Sequence, residues 1–169
     1  MANEGTILLA EDDANHVLLF SRAFKKAGFA NPLRVVVDGE EAIDYLKGQG
    51  KYADREQFPA PQILVLDLKM PRVGGLEVIH WVREQPAMKH LPIIVLTTSS
   101  QDWEVTLAYR AGANSFLVKA MDVERFIQQI KELGEYWLTG QSEVPSVPPA
   151  EPPGSEARDP GSAGEGVKH

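Results

Sequence analysis

Apolar residues along this chain fall into short runs, and four of the runs stop abruptly on a polar residue. Thr6 to Ala10 leads into Glu11-Asp12-Asp13, and Gln62 to Leu66 leads into Asp67. Pro92 to Leu96 leads into Thr97, and Ser115 to Val118 leads into Lys119. Runs this short, rich in β-branched residues and leucine, predict strands buried on both faces. A fifth run, Leu33 to Val37, predicts a further strand. The stretches between them carry apolar residues at helical spacing: Val17, Phe20, Phe24 and Ala27; Ala42, Ile43 and Leu46; Leu76, Ile79 and Val82. A fourth helix is predicted over 102–111, ending at Gly112, and a fifth from Asp122 with Val123, Phe126, Ile127, Ile130 and Leu133 on one face. Asp13 stands where the first helix wants an N-cap and Gly28 where it wants a C-cap. Thr98, Ser99 and Ser100 are expected to cap the fourth helix. The polar loop from Gly48 to Pro61 is longer than most connections in α/β units.

Five strand–helix repeats with right-handed crossovers predict an α/β fold, a flavodoxin-like doubly wound (βα)5 parallel sheet with strand order 2-1-3-4-5. Strands 1 and 3 then lie side by side at the switch point. Ligands bind such sheets beyond the carboxyl ends of the strands. The acids after strand 1, Asp67, Thr97 and Lys119 would therefore meet along one edge.

Composition narrows the function. The chain has 169 residues, a net charge of −7 and no cysteine. Thiolate metal sites and thiol nucleophiles are excluded, and the lack of disulfides suits a reducing cytosol. No Lys/Arg stripe is available to neutralise phosphates, so nucleic acid is not an expected partner. No apolar run is long enough for a membrane span, nor does a basic-then-apolar leader open the chain, and a cytoplasmic location is expected. Residues 141–169 are dominated by Pro, Gly, Ser, Ala and acids. They lack the apolar surface to offset ordering entropy, so a disordered tail is expected after a domain spanning 1–140.

Glu11, Asp12 and Asp67 together would repel, a cost that a divalent cation relieves. Mg²⁺ suits such an oxygen cup, since it needs only one or two carboxylates alongside waters and phosphate oxygens. Adding the ammonium of Lys119 and the hydroxyl of Thr97 produces a setting for a carboxylate nucleophile that receives a phosphoryl group. An aspartate-based hydrolase of the haloacid-dehalogenase type would need a second Asp two residues after the nucleophile, and position 69 is Lys. A flavin-binding relative would need a Ser/Thr/Gly-rich loop after strand 1, where three acids stand.

The segments ILLAEDD, LVLDLKMPRVGGLEVI, LPIIVLTTS and AGANSFLVK, with their spacing over residues 5–138, resemble the receiver domain of bacterial two-component response regulators. The long loop before strand 3, the LTTS run and the aromatic end of the last helix are similar to stand-alone regulators paired with phytochromes. The resemblance implies that Asp67 is the phosphoacceptor, Asp12 a direct Mg²⁺ ligand and Glu11 an acid holding the metal through water. It makes the backbone carbonyl of Lys69 the third protein ligand. Thr97 would be the switch hydroxyl, Lys119 the phosphate-pairing lysine and Phe116 the aromatic switch. A histidine kinase or phosphotransfer protein would donate the phosphoryl group. Output would pass to a downstream protein target, or to a homodimer through helix 4, strand 5 and helix 5. A receiver-shaped scaffold that signals without phosphorylation is the alternative.

Two positions depart from the family pattern. Ala120 follows Lys119 where the family has a proline in a cis peptide bond. A cis bond to a non-proline residue costs about 3 kcal/mol, so either the surroundings hold it or the loop takes a trans path. Gly74 replaces a common Asp and is expected to affect entry into the third helix more than the chemistry. His16, His80, His90 and His169 show no ligand spacing and read as surface residues, with His16 alone near the expected site. Lys51 and Arg55 read as solvated loop residues. Trp81, Trp103 and Trp137 read as packing or interface residues, and an exposed Tyr136-Trp137 pair would point to self-association.

Overall fold

Alternation along the central strands builds the two halves of the core. In the computed structural model, which describes residues 5–98 and 101–139, β1 (Ile7–Ala10), β3 (Ile63–Leu66) and β4 (Ile93–Thr97) are buried along their whole length. Leu8, Ala10, Leu64, Leu66, Ile93 and Val95 face one side and pack against α2 (Gly39–Lys47), α3 (Gly75–Glu84) and α4 (Asp102–Ala111). Ile7, Leu9, Ile63, Val65, Ile94 and Leu96 face the other, against Phe20 and Phe24 of α1 (Ala14–Lys26) and Phe126, Ile130 and Leu133 of α5 (Val123–Gly134). Period-2 alternation feeds both layers, so neither face of these strands can be polar.

The five strands are parallel in the order β2-β1-β3-β4-β5, with β2 spanning Leu33–Val36 and β5 Ser115–Val118. That is the order the sequence predicts. β2 and β5 are the sheet edges, and at β5 the expectation of a strand buried on both faces fails: Val118 is exposed, as is Val35 on β2. Val37 leaves β2 because its N–H donates to the Glu41 carboxylate at 2.9 Å instead of to a strand. Thr97 joins β4 because it pairs with Val118, and its carbonyl accepts from the Lys119 N–H at 2.7 Å.

Helix boundaries follow local chemistry. The Asp13 side chain caps α1 by accepting from the N–H groups of Asn15 and His16. Gly28 follows the helix end at φ 97°, a conformation glycine adopts without strain. Gln101 is the N-cap of α4, not Thr98; the Glu104 carboxylate reaches back to the Gln101 N–H at 3.2 Å, while Ser99 and Ser100 lie outside the described residues. Val123 is more than half exposed: it opens α5 off the stripe formed by Phe126, Ile130 and Leu133. α5 continues into a π-helical turn over Glu135–Thr139. Trp137 there packs partly into the core against Tyr136, so the pair is half-buried. The expected tail, 141–169, lies outside the described residues.

The long loop before β3 is built rather than open. It begins with a 3-10 turn, Gly50–Tyr52, and Tyr45, Tyr52 and Phe58 pack ring against ring. Arg55 ties it down by donating to the carbonyls of Leu46 and Phe58, both at 2.9 Å, over the Tyr45 ring. Arg55 is thus a structural tie. Lys51 is exposed and pairs with Glu41 at 3.4 Å.

Candidate functional site

Every polar residue that ends an apolar run sits at the same edge of the sheet. Glu11 follows β1, Asp67 follows β3, Thr97 closes β4 and Lys119 follows β5. Their side chains converge despite sequence separations of up to 108 residues. Lys119 Nζ donates to Glu11 Oε1 at 2.7 Å and stands 3.8 Å from Asp67 Oδ2. The three side chains are nearly closed off from solvent, at 9% exposure for Lys119, 4% for Glu11 and 8% for Asp67. Buried charges survive only when paired and hydrogen-bonded. The other Glu11 oxygen accepts from the Asp13 N–H at 3.2 Å.

The two oxygens of Asp67 have different surroundings. Oδ1 accepts from the Thr97 hydroxyl and from the Lys69 N–H, both at 3.1 Å. Oδ2 accepts no hydrogen bond among the described residues and faces the Lys119 ammonium across 3.8 Å. One oxygen is held in place and the other is left open.

Asp12 lies next to Glu11 but is exposed at the rim. The closely spaced metal-type donors are instead Glu11, His16 and Asp67, with ligand atoms within 4.8 Å of one another. His16 was expected on the surface. Its Nδ1 lies 2.9 Å from Lys119 Nζ and 3.5 Å from Glu11 Oε2. An ammonium has no lone pair, so Nδ1 is the acceptor there. The Asp13 cap directs the first turn of α1, and with it His16, back over the tip of β1; the cap signal was the available clue.

Three carboxylates and one ammonium leave two negative charges uncompensated at this edge, a balance that suits a divalent cation. The Lys69 carbonyl accepts no hydrogen bond among the described residues, so it is free to serve as an oxygen ligand. Lys69 itself is anchored by its ammonium, 3.3 Å from the buried Glu104 of α4. Phe116 is buried in the layer of α2, α3 and α4.

A second tie, unread in the sequence, secures the loop after β3. Arg72, at φ 65° in the left-handed region that side chains rarely adopt, donates Nε to Asp38 Oδ2 at 2.9 Å. The Gly39 N–H donates to the Val73 carbonyl at 3.0 Å, and a Cβ on Gly39 would collide with that oxygen. Gly74, at the N-cap of α3, offers no side-chain cap, and the Glu77 carboxylate takes its N–H at 2.9 Å.

Residues 7–131 match the family model described as the response regulator receiver domain. The chain belongs to the response regulator receiver family. A relative of the receiver is the probable methanogenesis regulatory protein FilR2 of Methanothrix harundinacea, 36% identical over 135 residues that cover 78% of this chain and 83% of FilR2. Among solved structures, the phosphorylated cyanobacterial phytochrome response regulator RcpA aligns with TM-score 0.73 and 30% identity, covering 83% of this chain and 98% of its own. The Mn²⁺-bound form of response regulator Rcp1, a protein of Synechocystis, aligns with TM-score 0.72 and 29% identity, covering 86% and 99%. Receiver domains are the signalling modules of two-component systems, and phytochrome-associated regulators stand among the relatives of this one. Among the described residues no helix is long and apolar enough to cross a membrane.

Proposed function

We propose that this receiver is a cytoplasmic signalling protein that accepts a phosphoryl group on Asp67 from a histidine kinase or phosphotransfer protein. The observation that carries the reading is the asymmetry of Asp67. Thr97 and Lys69 fix Oδ1, while Oδ2 stands open toward an ammonium. That oxygen is the nucleophile: it bonds to phosphorus as the bond from phosphorus to the donor's imidazole nitrogen breaks, and the imidazole leaves. Lys119 offsets the charge that accumulates on the phosphoryl oxygens, and the Thr97 hydroxyl is placed to turn from Oδ1 to one of them.

Mg²⁺, when bound, neutralises phosphoryl charge and orients the donor. Asp12, Asp67 and the Lys69 carbonyl would hold it directly, with Glu11 acting through water. The Mn²⁺-bound relative and the closeness of Glu11 and Asp67 support a divalent ion at this edge; Asp12, at the exposed rim, would turn inward to reach it. Closure of Thr97 and Phe116 on the modified aspartate would then reshape α4, β5 and α5. Trp103, Leu107, Val118 and Met121 are exposed apolar residues on that side, and they favour output by contact with a protein target or a second copy. The test is phosphate uptake from acetyl phosphate with Mg²⁺. Wild type gains label and an Asp67→Asn variant does not; equal uptake by the variant would overturn the reading.

A further inference from the structure

Lys119 is held through the backbone on three sides. Its own N–H donates to the Thr97 carbonyl at 2.7 Å. The N–H of Ala120 donates to Gln129 Oε1 at 2.9 Å, and Gln129 Nε2 donates to the Val118 carbonyl, also at 2.9 Å. One amide therefore grips the residues on both sides of the lysine. Its orientation is fixed by its partners, since an N–H must meet oxygen and a carbonyl must meet NH₂. Gln129 lies on α5 beside Ile130, which is fully buried, so the grip is anchored to the core.

This pairing depends on Ala120. Among the described residues no peptide bond is cis, so the loop takes the trans path past Lys119. A proline at 120 would have no N–H to give, and Gln129 Oε1 would lose its partner. We propose that Gln129 is the positioning residue for Lys119: it sets the backbone from which the ammonium reaches Glu11 and Asp67, in place of the proline common in the family. The inference rests on the phosphoacceptor reading above, because the ammonium matters only if a phosphoryl group arrives beside it. A lysine stem is flexible, so the placement of its head depends on a fixed root.

The experiment uses the full chain and two probes, Mg²⁺ alone and beryllofluoride with Mg²⁺, the latter standing in for the phosphoryl group. Gln129→Leu removes both hydrogen bonds at similar volume. It should weaken beryllofluoride binding about three- to tenfold, the size of a lost hydrogen bond, and leave the affinity for Mg²⁺ alone within about twofold of wild type. Gln129→Glu keeps the acceptor for Ala120 but loses the donor to Val118, and should fall between; it serves also if the Leu variant does not fold. Ala120→Pro combined with Gln129→Leu should be no worse than the sum of the single effects less the shared bond. Equal beryllofluoride affinity in wild type and both Gln129 variants would overturn the clamp, as would a parallel loss of Mg²⁺ affinity, which signals general damage. Failure of wild type itself to bind beryllofluoride would instead overturn the phosphoacceptor reading.

Discussion

The Thr97 hydroxyl donates to Oδ1 of Asp67 across 3.1 Å, in a site where both residues are buried. Thr97 is therefore already engaged with the carboxylate before any modification. Thr97→Val keeps the shape and removes the donor. Because Lys69 still donates to the same oxygen, stability should change by no more than about 1 kcal/mol. Phosphate uptake should slow about three- to tenfold, and Thr97→Ser should restore it; stopped-time uptake assays against thermal melting separate the two effects.

Lys119 is the buried ammonium set between Glu11 and Asp67, and its removal has opposite consequences for folding and for metal. Lys119→Met leaves Glu11 buried without its 2.7 Å partner. Breaking such a pair costs about 3 kcal/mol in chelator, read as a lower denaturation midpoint. Mg²⁺ should bind the variant more tightly than wild type, since no ammonium then competes for the carboxylates, while uptake of phosphate is lost. Titration by tryptophan fluorescence checks the sign.

Asp38 predicts a particular acid limb. Burial alone would raise its carboxyl, but the Glu41 N–H and the Arg72 guanidinium outweigh this and hold it below the ordinary value of 3.8. A lowered native value means stability that is present at neutral pH and lost as pH falls through the native value. Asp38→Asn keeps an acceptor at the N-cap of α2 without titrating. Below about pH 4, wild type should lose stability faster than the variant, and urea melts across that range provide the test.

Gly75 stands where the loop after β3 turns into α3. A Cβ there would lie 2.6 Å from the Asp67 carbonyl and 2.7 Å from the Leu68 Cα, both of them backbone. Gly75→Ala should destabilise by about 1–3 kcal/mol. It should also reduce phosphate uptake at temperatures where the variant is fully folded, because the strand tip carrying Asp67 must shift. A variant that is destabilised yet fully active would show that the tip tolerates displacement.

Strand order and the converging edge were legible in the sequence because both rest on repeating rules. Buried parallel strands need continuous apolar runs, and a polar residue that ends such a run marks the tip where ligands bind. Asp67, Thr97, Lys119 and Glu11 all follow from that one rule. The pieces not legible depend on pairs distant in sequence. Arg72 meets Asp38 across 34 residues, and His16 meets Lys119 across 103. No local pattern encodes these contacts; they appear only once the whole five-stranded sheet is assembled. Ala120 was legible as a departure, but its partner Gln129 was hidden among the polar residues of an amphipathic helix.

The most direct measurement maps the modified residue after full-length protein is incubated with acetyl phosphate, with Mg²⁺ or with chelator. The open carboxylate oxygen at the tip of β3 predicts one phosphoryl group, on the peptide bearing Asp67, formed only when Mg²⁺ is present. A phosphoryl group on another residue, or none in either condition, would contradict it.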